Sequence, residues 1–271
     1  MSEFSSYMRA GLAVLRRDAL IFISYRGRFI VQLLGTIFSL TLFYYISRVV
    51  GGSKLFPNPD DYYAFAVVGL LILNVLNSTL GSPPGSFRQE LIAGTFERLY
   101  LSPFGPVASL VSMLLFPFCF AIFSAATSIT YAYLAFGLKV HWDTAALAIP
   151  LGVLGALSFM PFGMLLLAAT VVFKQASSGT TWIIAGISLI GGLYVPISVL
   201  PGWMQTLSHL QPFTPATELL RNVLVGTPLR DPAWLDITKC AGSAVILLPL
   251  AVWLTHRALD LGRRRATITE Y

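Results

Sequence analysis

Two groups of ionisable residues stand out by their spacing. Glu90, Gly94 and Glu97 lie four and three apart with Arg98 alongside, so a helix gathers two carboxylates and a small residue on one face. Glu218 and Arg221 are three apart, within pairing reach on a helix. The chemistry on offer is electrostatic contact rather than turnover. No Gly-Lys-Ser/Thr run exists to cradle a nucleotide phosphate, and no HExxH or Gly-x-Ser-x-Gly occurs. His141, His209 and His256 are scattered, and Cys119 and Cys240 read as small buried side chains. No residue is assigned a catalytic or metal-binding role.

The elements that must carry these groups are set by composition. Of 271 residues, 56% are apolar, 13% aromatic and 11% charged, with a mean hydropathy of +0.74. Soluble domains carry about 25% charged residues. Too few ionisable side chains exist to coat a water-facing surface, which excludes a soluble enzyme, a disordered chain and a disulfide-built module. The remaining class is an all-α polytopic membrane protein.

A spanning helix needs about 20 mostly apolar residues. Six stretches qualify: 29–47, 62–80, 107–136 (with Pro117), 144–173 (with Pro150 and Pro161), 180–200 (with Pro196) and 237–255. The third and fourth exceed the need, which predicts tilt or a proline kink. The chain therefore divides into an N-terminal segment (1–28), a six-helix membrane domain (29–257) and a tail (258–271). The N-terminus, with five arginines in its first 28 residues, does not have the pattern of a cleavable signal.

The formal charge is +6, and the basic residues cluster at the ends of apolar stretches, which sets membrane orientation rather than nucleic-acid binding. With both termini inside, twelve of the 18 Lys and Arg residues fall on the cytoplasmic side, whereas the acids divide six and six. Both termini and the 2–3 and 4–5 connections are thus expected in the cytoplasm. No ionisable residue lies well inside an apolar core, which disfavours an ion-coupled carrier, although carbonyls alone can bind sodium. Uphill transport would then need an energy source on another subunit.

Three further segments have structure of their own. Phe4, Met8, Leu12, Leu15, Ala19 and Phe22 make an apolar stripe with Arg9, Arg16 and Arg17 largely off it, which reads as an interfacial amphipathic helix or as a cap on the protein's own core. Between Gly81-Ser-Pro-Pro-Gly and Ser102-Pro103 the spacing predicts a short helix over about 86–99, suited to docking into a partner's groove or to a solvated surface. Between Pro201 and Gly226 two short helices meet at Pro212, the second capped by Thr214 with Pro215 at its first position. This predicts an outer helical hairpin (about 201–226), either a gate or a structural plug.

The run Arg88-Gln89-Glu90-Leu91-Ile92-Ala93-Gly94-Thr95-Phe96-Glu97-Arg98-Leu99 followed by Ser102-Pro103 resembles the coupling-helix region of ABC-2 type transporter permeases. Gln89 stands where a second charge is expected. Tyr194-Val195-Pro196-Ile197-Ser198-Val199-Leu200-Pro201, Leu210-Gln211-Pro212 and Leu220-Arg221 resemble the same family's fifth span and re-entrant segment, and Arg16-Arg17-Asp18 with Ser24-Tyr25-Arg26 fits its interfacial helix.

The resemblance implies one half of an export channel in a cell membrane. A second permease copy and separate ABC ATPase subunits, which bind the ATP and Mg, complete it; the chain itself holds no cofactor. It implies ATPase docking through Arg88, Glu90, Gly94, Thr95, Glu97 and Arg98. It also implies a path between the second and fifth spans, with Asn74, Asn77, Ser78, Thr79, Thr181 and Trp182 as candidates. The same polar groups could instead serve as helix–helix glue. Pro212, Glu218 and Arg221 belong to the outer gate. The expected cargo is lipid-linked, glycan or amphipathic and drug-like. An ion-coupled secondary transporter is the alternative, and an intramembrane enzyme lacks an acid–base pair at membrane depth.

Overall fold

The computed structural model describes residues 3–53, 55–94, 105–173 and 176–264. Among these the chain is helical, with no strand. Helix α1 (Glu3–Ser24) lies against the bundle, and α2 (Arg26–Val50) follows after a single non-helical residue, Tyr25. Helix α1 shares its apolar residues between two environments. Phe22 packs on Phe120 and Phe116, at ring distances of 4.7 and 5.4 Å, while Leu12 and Leu20 stay exposed.

Helix α3 (Pro59–Leu76) starts with Pro59 at its first position and Asp60 and Asp61 in its first turn, a sequence suited to a helix N-terminus. It is the central element. Tyr63, Val67, Val68, Leu71, Ile72 and Leu76 are buried on several faces, which is why its sequence is apolar all round.

The Gly81–Gly85 stretch was expected to break the chain, and it does not. A π-turn (Asn77–Gly81) joins α3 directly to α4 (Ser82–Ile92), giving an apolar helix over Pro59–Glu90 of 32 residues. Pro83 and Pro84 cannot donate to the carbonyls four residues back, and a wider π-turn absorbs that loss without ending the helix. The helix that was expected to begin at Ser86 is therefore, as far as Ile92, the end of the second span. Gly94, at φ +66°, follows it.

Helices α5 (Gly105–Ser112) and α6 (Leu115–Phe136) are separated at Met113–Leu114. Met113 is four residues before Pro117, the residue whose carbonyl a proline leaves unbonded and crowds, so the kink expected from Pro117 falls where backbone chemistry requires. Gly137, at φ +65°, closes α6 by donating its N–H to Tyr133 at 3.1 Å.

A short α7 (Trp142–Ala145) leads to α8 (Ala148–Phe173), which carries Pro150 in its first turn and Pro161 inside. Gly163 of α8 sits so close to the Thr79 carbonyl of the π-turn that a Cβ there has no room.

The fifth apolar run departs most from expectation. Helix α9 (Ala176–Ile190) has 15 residues and stops at Gly191–Gly192, ten residues before the expected end. At 1.5 Å per residue it is about 22 Å long, short of the roughly 30 Å hydrocarbon layer. Helices α10 (Gly202–Leu210) and α11 (Phe213–Val225) are two consecutive short helices meeting near Pro212, and Gly226, at φ +71°, ends the second. Thr214 does not cap α11; its hydroxyl meets Ser208 Oγ at 3.0 Å and Gln211 Nε2 at 3.2 Å. Helix α12 (Ala233–Arg264) is longer than the expected 237–255 and runs through Pro249.

Among the described residues five helices are long and apolar enough to cross a membrane, and α9 is a shorter apolar helix beside them. Helices α8 and α12 pack along much of their length, whereas α2 and α12 leave many large apolar side chains bare, among them Val31, Phe38, Val245 and Ile246. Bare apolar faces on long helices suit lipid or another apolar surface.

Candidate functional site

The continuous α3–α4 helix divides the candidate residues between two ends. At the Glu90 end, Arg17 of α1 donates from Nη2 to Glu90 Oε1 at 3.1 Å and from Nε to Asp18 Oδ1 at 2.9 Å. The acidic residue that was to face a partner is thus also a tie to the N-terminal helix. Burial raises the Asp18 carboxyl above the usual range; Arg17 opposes this and Glu90 adds to it. Arg88 and Gly94 are exposed. Thr95, Glu97 and Arg98 lie outside the described residues.

The six candidate path residues do not share one surface. Asn74 lines a cleft of about 290 Å³ between α2, α3 and α6, in which Gln32, Thr36, Ser39 and Ser128 alternate with Leu40, Leu70 and Leu73. Asn77 is exposed and donates its amide to the Leu73 carbonyl at 2.9 Å. Ser78 lines a separate crevice against α1. Thr79 is buried with its hydroxyl bonded to the Val75 carbonyl at 2.8 Å, so it faces packed protein rather than an open path. Thr181 and Trp182 are exposed on α9, and Trp182 is 80% accessible. Ile184 of α9 and Asn77 both flank Gly81, so α9 and the π-turn are neighbours.

At the other end the expected Glu218–Arg221 pair is replaced. Glu218 reaches Arg230 at 3.8 Å, and burial pushes its carboxyl up against that cation's pull. The Arg221 guanidinium turns inward instead. One terminal nitrogen, Nη2, donates to the Gly192 carbonyl at 3.0 Å and to the Phe65 and Leu193 carbonyls at 3.4 Å each. The guanidinium carbon lies 3.5 Å from the centre of the Phe65 ring.

The physical reason is the early end of α9. Breaking a helix at Gly191–Gly192 frees carbonyls that must find donors once buried, and Arg221 supplies them. Gly69 allows the approach, because a Cβ there would collide with the Leu193 carbonyl. Nε of Arg221 is buried without a partner. Pro212, also buried, separates α10 from α11, and its carbonyl accepts a weak Cys240 Sγ contact at 3.8 Å.

Sequence reasoning missed Gly192, Leu193 and Phe65 as partners of Arg221, Gly69 as the residue that lets the Leu193 carbonyl approach, and Arg17 as a partner of Glu90. The Gly191-Gly192 pair inside an apolar run was the available signal. Among the described residues no group of three His, Cys, Asp or Glu side chains is placed to hold a metal.

Long apolar helices of this number define a multi-pass membrane protein. Residues 9–225 match the model of the ABC-2 type transporter family, and the chain belongs to that family. It is 24% identical over 234 residues to the daunorubicin resistance ABC transporter permease protein DrrB1 of Streptomyces coeruleorubidus, covering 83% of this chain and 80% of that one. It is 26% identical over 185 residues to the inner membrane transport permease YadH of Escherichia coli K12, covering 65% and 68% of the two chains. With the probable multidrug ABC transporter permease YbhR of the same organism it shares 23% identity over 194 residues, 69% of this chain but only 52% of YbhR.

Proposed function

We propose that the chain is the membrane-spanning permease of an ATP-driven exporter, paired with a second copy of itself and driven by a separate ATPase subunit that binds ATP and Mg. One observation carries the reading. A single helix, Pro59–Glu90, has at one end the acidic segment that resembles a coupling helix and at the other the Arg221 contact with the broken α9. Force applied at the Glu90 end would reach the opposite end without crossing a loop.

In this reading the Glu90 end and both termini are cytoplasmic, which follows the distribution of Arg and Lys. Helix α9 with residues 191–200 counts as the sixth crossing. The α10–α11 hairpin re-enters the outer leaflet, and Pro212, Glu218 and Arg221 hold its base. Arg88, Glu90, Gly94, Thr95, Glu97 and Arg98 face the ATPase. The path runs between paired protomers, and Asn74, Asn77, Thr181 and Trp182, which present polar or exposed groups, remain its best candidates. The cargo is amphipathic, as the relatives named for daunorubicin and multidrug transport suggest, and lipid contacts the bare faces of α2 and α12.

The test is purification from native membranes followed by reconstitution. Co-purification of an ABC ATPase, with cargo moved only when ATP is present, supports the reading. Cargo accumulated by the chain alone, on an ion gradient and without nucleotide, refutes it and favours the ion-coupled alternative.

A further inference from the structure

A cavity of about 490 Å³ lies between α6 and α8, against α3 and α11. Its existence follows from side-chain size. Ala125 and Ala126 of α6 and Gly152, Gly155 and Ala156 of α8 all line it, so the walls carry few atoms where larger side chains could close the gap. The short α7, which joins the two helices, supplies Trp142 and Ala145 to the lining and is tied down. His141 donates its backbone N–H to the Leu224 carbonyl at 2.9 Å, and the Thr144 hydroxyl donates to the Val223 carbonyl at 2.7 Å.

The opening faces the bilayer. Leu134, Trp142 and Ile149 line the cavity and are themselves exposed, and the Tyr133 ring meets Trp142 edge-on at 5.3 Å. A Tyr–Trp pair at the end of a spanning helix marks the boundary between hydrocarbon and headgroups. From there the lining runs along α8 from Ala148 to Phe159, about 16 Å at the helical rise, close to one leaflet of a hydrocarbon layer roughly 30 Å thick.

The lining selects the occupant. No charged side chain lines the cavity, and the Thr130 hydroxyl already donates to the Ala126 carbonyl at 2.9 Å. Water has too few polar partners to settle there, and an ion or headgroup would lose its hydration without replacement. Spread along the cavity, the volume leaves a bore of about 30 Å². A helix about 10 Å across needs roughly 80 Å², so a span of another subunit does not fit. One extended hydrocarbon chain does, and Leu134 and Ile149 make the cavity continuous with the lipid-facing surface from which such a chain enters.

We propose that this cavity holds one acyl chain of an outer-leaflet phospholipid as a resident part of the protein, with the headgroup outside near Trp142 and the chain running inward to Phe159. The chain braces α11, whose Leu220 and Leu224 line the cavity and whose Arg221 holds the break in α9. It is not cargo, because the walls grip no headgroup. The proposal goes beyond the permease reading and rests on it only for the choice of leaflet.

The experiment uses the full chain in nanodiscs of phosphatidylcholine, a fraction of which carries a diazirine at the end of one acyl chain; adducts are located by mass spectrometry after illumination. Ile72, Ala156 and Phe159 line the cavity but are at most 2% exposed, so lipid on the outer surface does not reach them. Adducts at these three residues are expected. A Cβ at Gly152 meets nothing within 4 Å, so Gly152→Leu grows into the cavity. It should cut labelling there about tenfold while labelling of Val31 and Val245 on the bare faces stays unchanged. Gly152→Ala shares the gain in helix propensity, leaves most of the volume open and should label as the parent does. No adduct at Ile72, Ala156 and Phe159 in the parent overturns the proposal, whether or not Gly152→Leu folds, and so does equal labelling of a folded Gly152→Leu. Labelling that vanishes when ATP is added to the complex with its ATPase marks the lipid as cargo and also overturns it. Cavity labelling in a chain that moves cargo without nucleotide keeps the site and refutes the exporter reading; ATP-driven export without cavity labelling does the reverse.

Discussion

Replacing Arg221 with Met keeps most of the side-chain length and removes the guanidinium. The consequence follows from where the three acceptors sit. Phe65 lies inside α3 and keeps its helical bond, so the groups left unpaired are the Gly192 and Leu193 carbonyls at the end of α9. An orphaned buried carbonyl costs about 1–3 kcal/mol, and losing the ring contact with Phe65 adds to that. Removing a buried cation returns part of the sum, because Arg221 is only 5% exposed and its Nε has no partner. The net loss at the α9 junction is about 2–4 kcal/mol. The amides of Gly191, Gly192 and Leu193, which donate to Ile187, Leu189 and Ser188, report on it directly. Their hydrogen exchange should quicken roughly 30- to 1000-fold, at about 1.4 kcal/mol per tenfold, while amides within α8 stay unchanged. Export should fall and ATPase association should persist. Unchanged exchange at 191–193 would mean that Arg221 does not hold the break closed, and loss of ATPase association would mean that its influence is not local.

Glu97→Arg reverses charge on the proposed docking face and should abolish ATP-coupled export while membrane insertion, read by protease accessibility of the loops, is retained; unchanged coupling removes Glu97 from the contact. Gly163→Ala forces a Cβ against the Thr79 carbonyl and should cost about 1–3 kcal/mol, seen as a lower melting temperature in detergent. Asp231 accepts from Lys239 Nζ at 2.6 Å, which holds its carboxyl below the ordinary range. Because its folded value is the lower one, the contribution is present at neutral pH and lost on acidification through that value. The stability difference between the parent and Asp231→Asn should therefore shrink as pH falls through the acid range, and a constant difference would remove the ion pair as its cause.

Much of the bundle follows from backbone rules that act locally. Pro117 fixes the break at Met113, Gly137 and Gly226 close helices in the left-handed region, and Pro59 with two aspartates starts the central helix. The errors have a common physical source. Gly81-Ser-Pro-Pro-Gly reads as a break because two prolines delete two donors, but Gly163 packed on the Thr79 carbonyl belongs to a residue more than 80 positions away, and no local rule contains it. In the same way Arg221 has a local partner in Glu218 and a distant one in the Gly192 carbonyl. The distant one wins because a buried carbonyl has no alternative donor, whereas Glu218 has Arg230.

That competition also explains why the two glycine contacts matter more than their size suggests. Gly69 meets the Leu193 carbonyl and Gly163 meets the Thr79 carbonyl, so the Pro59–Glu90 helix touches both α8 and the end of α9 backbone to backbone. Side-chain contacts can yield by changing rotamer; backbone contacts between close-packed helices cannot. A displacement of the Glu90 end therefore has two outcomes: the helix carries α8 and the α9 junction with it, or the π-turn at Asn77–Gly81 takes up the motion. Its bonding is less regular than that of an α-helix, and Pro83 and Pro84 just beyond it have already removed donors to its carbonyls. Replacing Pro83 and Pro84 together with alanine restores those donors and separates the outcomes. If the turn is where motion is absorbed, regular α-helix there should impair transport while leaving the Arg17–Glu90 contact and ATPase binding in place; if the helix moves as one body, transport should be retained.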